Sequence, residues 1–552
     1  MFYGRIGPWA TDGPPHNKGG IRLKLSHTHS LRLGVAVAAI LGVAVGPVQA
    51  LASGSTVDFN SQTNLVQPAP FPQNEQNEPA IAQNPKDSLS LIAGANDEID
   101  LPGCTSTGCP FVANVGLSGV YVSHDGGSSW TQFSASSGGA NTASFNADGL
   151  IHTLPGFGTL ASTLGVPGLA SDGDPAIAFN ADGVAYYASL AGVRGTNLGD
   201  LLTVSRSTNG GSSWSNPVLA TNKDNPADFN DKEAVWVDKS STSRFKNNVY
   251  VSWTLFIGRG SEPIMFSRST DGGQTFSAPN KLGASYNNNS IGGRQGSTIR
   301  TDSAGDIYVI WEGGVTINGT KTSAQVFAKS TDGGVTFSNP DVIARVTDIP
   351  SPLPGSSFRN DSFPSADIGP NGAIYVAWTD YRTGRGQVRI SSSVDGGSTW
   401  SPSTVALDVP GRSTFFPGVA VTPDGTRVTV AAQALDAVPA GTAPGAGVVF
   451  YDSYLATSVG GGSFSAPIKI STASSDPDGS STNSLGAQFQ GDYNTLITDN
   501  QHAWFIWTDA RAASPCDAVD DYRAGTSGKP SVPDSCPDNF GNTDIFVGRV
   551  TY

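Results

Sequence analysis

The sequence predicts an all-β repeat chain made of small antiparallel sheets, and three observations carry that prediction. The 552 residues include 67 Gly and 36 Pro, while charged side chains make up only 14%. Short runs of Val, Ile, Tyr and Trp alternate with Gly, Asn, Asp and Ser clusters, and no helical period is sustained. One octapeptide also returns at a near-constant interval, as stacked supersecondary units require.

The octapeptide runs from Ser123 to Trp130 (SHDGGSSW), Ser207 to Trp214 (STNGGSSW), Ser269 to Phe276 (STDGGQTF), Ser330 to Phe337 (STDGGVTF) and Ser393 to Trp400 (SVDGGSTW). A worn copy from Thr457 to Phe464 carries Val459 where the acid should stand. From residue 207 onward the copies start 62, 61, 63 and 64 residues apart. Asp125, Asn209, Asp271, Asp332 and Asp395 each head a tight turn, where a side-chain oxygen accepts from following backbone N–H groups. The paired glycines supply the positive φ of such a turn. The terminal Trp or Phe pins it into the sheet. Val459 offers no acceptor, so the sixth turn is expected to be the loosest.

Each period opens with a short strand: Pro79–Ala82, Pro175–Ala178, Ala234–Val237, Ser297–Ile299, Pro364–Asp367 or Gly418–Val421. A turn and a second strand follow, as in Val249–Trp253, Ile307–Trp311 and Ile374–Trp378. A third strand leads into the octapeptide and a fourth leaves it. Four antiparallel strands per period make a propeller blade. Six units are complete, and a seventh has three strands near Leu496, Ala503–Trp507 and Ile545–Val550. Its missing outer strand is assigned to residues 55–66, which removes an open sheet edge. Seven blades are expected, with six as the alternative.

Residues 1–52 read as a signal peptide with an N-terminal extension, and 53–552 as a single propeller domain. Arg22, Lys24 and Arg32 precede the apolar stretch Leu33–Val45, and Ala50-Leu51-Ala52 is a small-x-small cleavage pattern. That stretch is shorter than the roughly 20 residues of a bilayer span. Export is therefore expected in preference to a retained anchor, giving a secreted chain with no membrane span after cleavage. Cys104, Cys109, Cys516 and Cys536 all lie in the exported part, an even number suited to disulfides in an oxidising compartment. Their connectivity is open, and zinc binding, the rival, finds no CxxC spacing. The net charge of −14 argues against nucleic acid, whose binding needs a basic face. No cofactor is expected. The acidic loop from Ser475 to Asp478 offers calcium some oxygen ligands but matches no EF-hand loop.

The octapeptides resemble Asp boxes, or BNR repeats, and with them the chain resembles the sialidase-like β-propeller family, whose sialidases have six blades. Boxes are scaffold, on the face away from the inner-strand starts. Four long insertions share the other face: Cys104–Cys109, Thr131–Asp172, Asp436–Gly447 and Cys516–Cys536. At the inner-strand starts Glu78, Asp174 and Asp492 open blades one, two and seven, Lys232 and Glu233 sit in blade three, and Arg294, Arg359 and Arg412 precede blades four to six. The resemblance implies an exo-α-sialidase-type glycoside hydrolase acting on extracellular glycans, with three arginines clamping a carboxylate. Tyr493 is then the nucleophile, Glu233 its base and Asp174 the acid. Arg294, Arg359 and Arg412, with Glu78 and Asp492, would bind substrate. One departure is plain: the family's first-blade Phe/Tyr-Arg-Ile-Pro motif is missing, and no Arg occurs from Ser53 to Val193. The alternative is a non-catalytic propeller, monomeric like the enzyme, that binds a glycan, a glycoconjugate or a protein, or serves as an assembly scaffold. Arginines converging on one carboxylate-sized space, with Tyr493 facing it beside an acid, would favour the enzyme, sialidase or relative of altered specificity. Arginines splayed toward solvent or tied up by local acids would end it. Asp380 and Arg382, like Asp509 and Arg511, are expected to form loop-capping ion pairs.

Overall fold

The computed structural model describes residues 55–64, 69–136, 143–193, 200–221, 228–257, 262–282, 295–317, 319–438 and 449–552. It is a propeller of seven blades, each an antiparallel sheet of four strands, with short inserted helices at Phe157–Leu164, Asp517–Arg523 and Val532–Ser535. Blade one runs outward from Gln76–Asn84 through Asp87–Asp97 and Ser118–Ser123 to Thr131–Gln132. In blade two the inner edge is divided between Ala170–Ser171 and Ala176–Phe179. The inner strands of blades three to six are Asp228–Val237, Gln295–Thr301, Ser365–Ile368 and Arg412–Val421. Blade seven takes Thr495–Thr498, His502–Asp509 and Asp544–Thr551 from late in the chain and Thr56–Gln62 from its beginning. Thr56 pairs with Thr551 and Gln62 with Phe546, so the ring is closed by strands from distant parts of the sequence.

Alternation along the second strands places one row of side chains against each neighbouring blade, and both rows are apolar. Tyr250, Trp253, Trp311, Trp378, Trp504 and Trp507 are fully buried between sheets. The hydrophobic clusters accordingly span pairs of blades, as where Tyr250 and Phe266 of blade three meet Val309 and Trp311 of blade four. This is sheet-on-sheet packing repeated around a circle.

The Asp boxes rivet those pairs. Asp271, Asp332 and Asp395 each accept from the backbone N–H and the hydroxyl of the Thr four residues on, at 2.9–3.0 and 2.6 Å. Burial opposes ionisation at Asp271 and Asp332, yet the bonds from Thr275 and Thr336 pull both to about 2. At Asp395 the bond from Thr399 leads, with the same result of about 2. The second glycine has a different task. A Cβ on Gly397 would lie 2.8 Å from the Phe327 ring of the preceding blade, and one on Gly334 would lie 2.6 Å from Phe266. Gly211 likewise abuts Val122, and Gly127 abuts Trp504 across the seam. The box aromatics follow, with Trp400 edge-on to Phe327 at 5.5 Å and Phe337 to Phe266 at 4.7 Å. In the worn sixth copy these carboxylate bonds are replaced by one from the Ser458 hydroxyl to Gly462 O, and Val459 is exposed.

Both disulfides form, Cys104–Cys109 and Cys516–Cys536. They share one apolar cluster with Phe71, Leu485, Val519 and Phe540, beside the segment that joins the closing strand to blade one. Asp380 binds Arg382 at 2.6 Å, and Asp509 binds Arg511 at 2.7 Å, in their loops. Asp476 of the acidic loop caps a short 3₁₀ turn by accepting from Asp478 N. Among the described residues no helix is long and apolar enough to cross a membrane, and no group of three His, Cys, Asp or Glu side chains is arranged to hold a metal ion.

Gly397→Ala puts a Cβ at φ 88°, costing about 1–2 kcal/mol, and drives it into Phe327, costing about 1–3 more. Denaturant titration should show a loss of about 2–5 kcal/mol. Gly461→Ala, at the matching glycine of the worn corner, also sits at positive φ (73°) but meets nothing within 4 Å, so it should cost only the backbone strain of about 1–2 kcal/mol. Equal effects at the two corners would refute the docking role of the second glycine.

Candidate functional site

The site begins with a bulge. In blade one Asn77 pairs with Asn96 and Ala80 with Gly94, leaving Glu78 and Pro79 opposite a single residue. The same bulge recurs at Lys232-Glu233, Gly296-Ser297 and Phe416-Pro417. Two residues before the first paired residue of the remaining inner strands stand Asp174, Phe363 and Tyr493. Such bulges bend a strand and re-aim its side chains. Here they form a ring at the channel mouth: Glu78, Asp174, Lys232, Gly296, Phe363, Phe416 and Tyr493. Four non-glycine members are left-handed, with φ of 56° at Glu78, 51° at Asp174, 58° at Lys232 and 49° at Phe416. Each costs about 1–2 kcal/mol relative to glycine, strain of the kind found at functional sites.

The ring has a polar arc and an apolar one. On the polar arc Asn96 links blades one and two, donating to Glu78 Oε2 at 2.7 Å and accepting from Asp174 N at 2.6 Å. Glu78, Asp174 and Lys232 are only 1%, 6% and 6% exposed. Carboxyl groups are hydrogen-bonded in a chain, Asp492 to Glu78, Glu78 to Asp174 and Asp174 to Asp231. Burial opposes ionisation of Asp492, but Arg359, bound to it through two bonds of 2.7 Å, holds its pKa below the ordinary range. Burial, then repulsion from Asp231, raises Asp174 to about 7. Glu78 and Glu233 are pushed well up, first by burial and then by Asp174. One end of the chain is thus an ionised carboxylate and its middle holds protons near neutral pH.

Lys232 crosses the mouth. Its ammonium lies 3.4 Å from the centre of the Tyr493 ring, 5.4 Å from that of Phe363 and 4.0 Å from Asp492 Oδ2. Tyr493 donates to Pro175 O at 3.4 Å, and burial followed by repulsion from Asp174, Glu78 and Glu233 drives its phenol well above 10. Gly296, Phe363 and the buried Phe416 form the apolar arc. Beyond Phe363, Glu312 shares hydrogen bonds with Asp348 and Asp361, a second acidic cluster within electrostatic reach of Asp492.

Of the residues singled out from sequence, Glu78, Asp174, Glu233, Arg359, Asp492 and Tyr493 come together here. Arg412 does not. It is the first residue of its long strand, four residues ahead of Phe416, bound to Asp436 at 2.8 Å and Asp452 at 2.9 Å. Arg294 lies outside the described residues. The described arginines are therefore held by acids, Arg359 by Asp492 and Arg412 by its own blade, and do not converge on a carboxylate-sized space. Asp231, Phe363 and the central placement of Lys232 were missed. A signal existed: Glu78-Pro79, Asp174-Pro175, Phe363-Pro364 and Phe416-Pro417 recur in register, and proline, lacking an N–H, suits the unpaired residue of a bulge.

No family model matches the chain, and no curated protein matches it. Among solved structures it is similar to the Hadza microbial sialidase Hz136, at 14% identity over 78% of this chain and 73% of that one, with a TM-score of 0.37. It is similar to the NanB sialidase from Streptococcus pneumoniae at 11% identity, over 68% and 67%, with a TM-score of 0.37. An α-L-arabinofuranosidase of Fusarium graminearum matches at 13% identity, over 70% and 94%, with a TM-score of 0.38. The chain is sialidase-like in fold, on the strength of its own seven antiparallel blades and its Asp boxes.

The carboxyl groups set the pH dependence of stability. Burial is the leading cause that raises Asp97 and Asp361 to about 6 and Asp174 and Asp544 to about 7. The native chain therefore binds more protons than the unfolded one from about pH 4 to 7, and stability falls as pH rises through that window. The box aspartates act oppositely, and their contribution is lost as pH falls toward about 2. The thermal midpoint should peak at about pH 4–5. A midpoint rising steadily from there to neutrality would contradict the raised carboxyl groups.

Proposed function

We propose that the channel mouth is the active site of a glycoside hydrolase acting on extracellular glycans, with Asp174 as general acid and the ionised Asp492 as the second carboxylate. The hydrogen-bonded carboxyl chain carries this proposal. Glycosidic cleavage needs one carboxyl that still holds its proton at working pH and another that does not. Arg359 keeps Asp492 ionised, while burial beside Asp231 holds Asp174 at about 7. The two disulfides support a secreted chain, since such bonds persist in oxidising compartments.

An exo-α-sialidase assignment, with Tyr493 as nucleophile and Glu233 as its base, draws less support. The phenol is driven up, its hydroxyl points to Pro175 O, and Arg359 and Arg412 are committed to acids. Those committed arginines also favour the second reading, a propeller that binds a glycan or a protein without cleaving it.

A panel of 4-methylumbelliferyl glycosides, neutral sugars and an α-sialoside among them, tests both. Hydrolysis of at least one substrate is expected, falling as pH rises through about 7 because the acid must be protonated. Asp174→Asn should lower kcat about 10²- to 10⁴-fold, whereas Tyr493→Phe should retain activity within about tenfold. Glycan retention with no hydrolysis at any pH would replace the enzyme with the binding propeller.

A further inference from the structure

The channel has a second end, on the Asp-box face, where the inner strands stop. Trp236, Arg300 and Asp367 are each the next-to-last residue of the inner strand in blades three, four and five, and Lys239 stands two residues past the first of these strands. Solvent reaches this group. Lys239 is exposed, and the side chains of Arg300 and Asp367 are 20% and 21% exposed.

Two cations gather here on one indole. Arg300 Cζ lies 4.3 Å from the centre of the Trp236 ring and Lys239 Nζ 4.8 Å from it. Trp236 is itself fixed, donating from Nε1 to Thr301 Oγ1 at 2.9 Å. Burial, reinforced by repulsion from Arg300 and partly offset by Asp367, pulls the Lys239 ammonium down to about 8. A side chain that is open to water and yet desolvated stands in a concave opening walled by protein.

The acids close by do not balance this charge. Asp367 Oδ1 is 3.4 Å from Arg300 Nε, and its Oδ2 accepts from Val421 N at 2.8 Å. Asp238 is taken by Ser240 and Ser243, and Asp302 by Ala304, Asp306 and Tyr308. Arg300 spends Nη1 on Thr298 Oγ1 and Ile299 O. Its Nη2, like Nζ of Lys239, has no acceptor among the described residues. Two like charges held side by side, with donors to spare and one shared acid, lack an anion. The complement to a guanidinium edge and an ammonium is a group with several negative acceptor oxygens.

We propose that this lower opening is an oxyanion site, in which Lys239 and Arg300 together bind one phosphate or carboxylate group. Trp236 holds both donors in place through its ring and consumes none of their N–H groups. The site is separate from the channel mouth and does not rest on glycan chemistry there.

The test is calorimetric titration of the full chain at pH 7 with sodium phosphate and, separately, sodium glucuronate, at an ionic strength held constant with sodium chloride. At least one should bind with a Kd of about 0.1–10 mM, and the one that does identifies the oxyanion. Lys239→Gln and Arg300→Gln should each weaken binding about tenfold or more. Lys86→Gln, which removes an exposed cation from the first turn of blade one, should leave it unchanged. Thermal midpoints establish that each variant is folded. A bound anion also favours the charged ammonium, so acetylation of Lys239 by acetic anhydride at pH 8, read by peptide mass spectrometry, should slow about threefold or more while that of Lys86 does not. Failure of both anions to saturate below about 100 mM, undiminished binding by a folded Lys239→Gln, or equal protection of Lys86 overturns the proposal. None of these outcomes bears on the hydrolysis assay, which succeeds or fails at the other end of the channel.

Discussion

The contact on which the rest depends is a glycine laid against an aromatic or aliphatic side chain of the blade before it. Where Gly397 meets Phe327, and Gly334 meets Phe266, the corner backbone comes closer than any Cβ would permit. Blades two to five are thereby docked on their predecessors through Gly211, Gly273, Gly334 and Gly397, so that their pitch is fixed by backbone rather than by adaptable side chains. Gly461, in the worn corner of blade six, meets nothing within 4 Å. Box aspartates hold the corner in shape, the glycine sets its distance, and the terminal aromatic fills what remains. All three lie on the face away from the mouth, so they govern the site only by fixing where the inner strands begin.

At those beginnings the same bulge appears again and again while its side chain varies. Backbone geometry is the repeated part and chemistry the variable part. Glu78, Asp174, Lys232 and Tyr493 make a polar arc, and Gly296, Phe363 and Phe416 make an apolar one. Left-handed Glu78, Asp174 and Lys232 are conformationally unfavourable, and well-paired sheets outside the ring offset that cost.

The architecture was legible because its signals are local: an octapeptide with a fixed mechanism, and strands punctuated by glycine and asparagine. Even the closing strand could be assigned, since blade seven lacked one. The site was legible only in part. Glu78, Asp174, Glu233, Arg359, Asp492 and Tyr493 all sit at strand starts, and topology brings those together. Arg412 also sits at a strand start, but its strand is paired for several residues before the bulge, so its guanidinium reaches Asp452 of its own blade instead. Strand length beyond the bulge is not written in any local motif. Nor was the left-handed φ that Lys232 adopts at its bulge.

The pairing of Thr56–Gln62 with Asp544–Thr551 joins segments separated by almost the whole folded chain. Six blades can assemble from neighbours in sequence, but the seventh must wait until both ends are present and must bear the loop-closure entropy of everything between them. Folding of the ring is therefore intrinsically late and slow at one seam, and that is where both disulfides and the Phe71 cluster gather. Until both ends have met, the outer edge of Asp544–Thr551 stays unpaired, which makes it the last sheet edge of the ring to be covered.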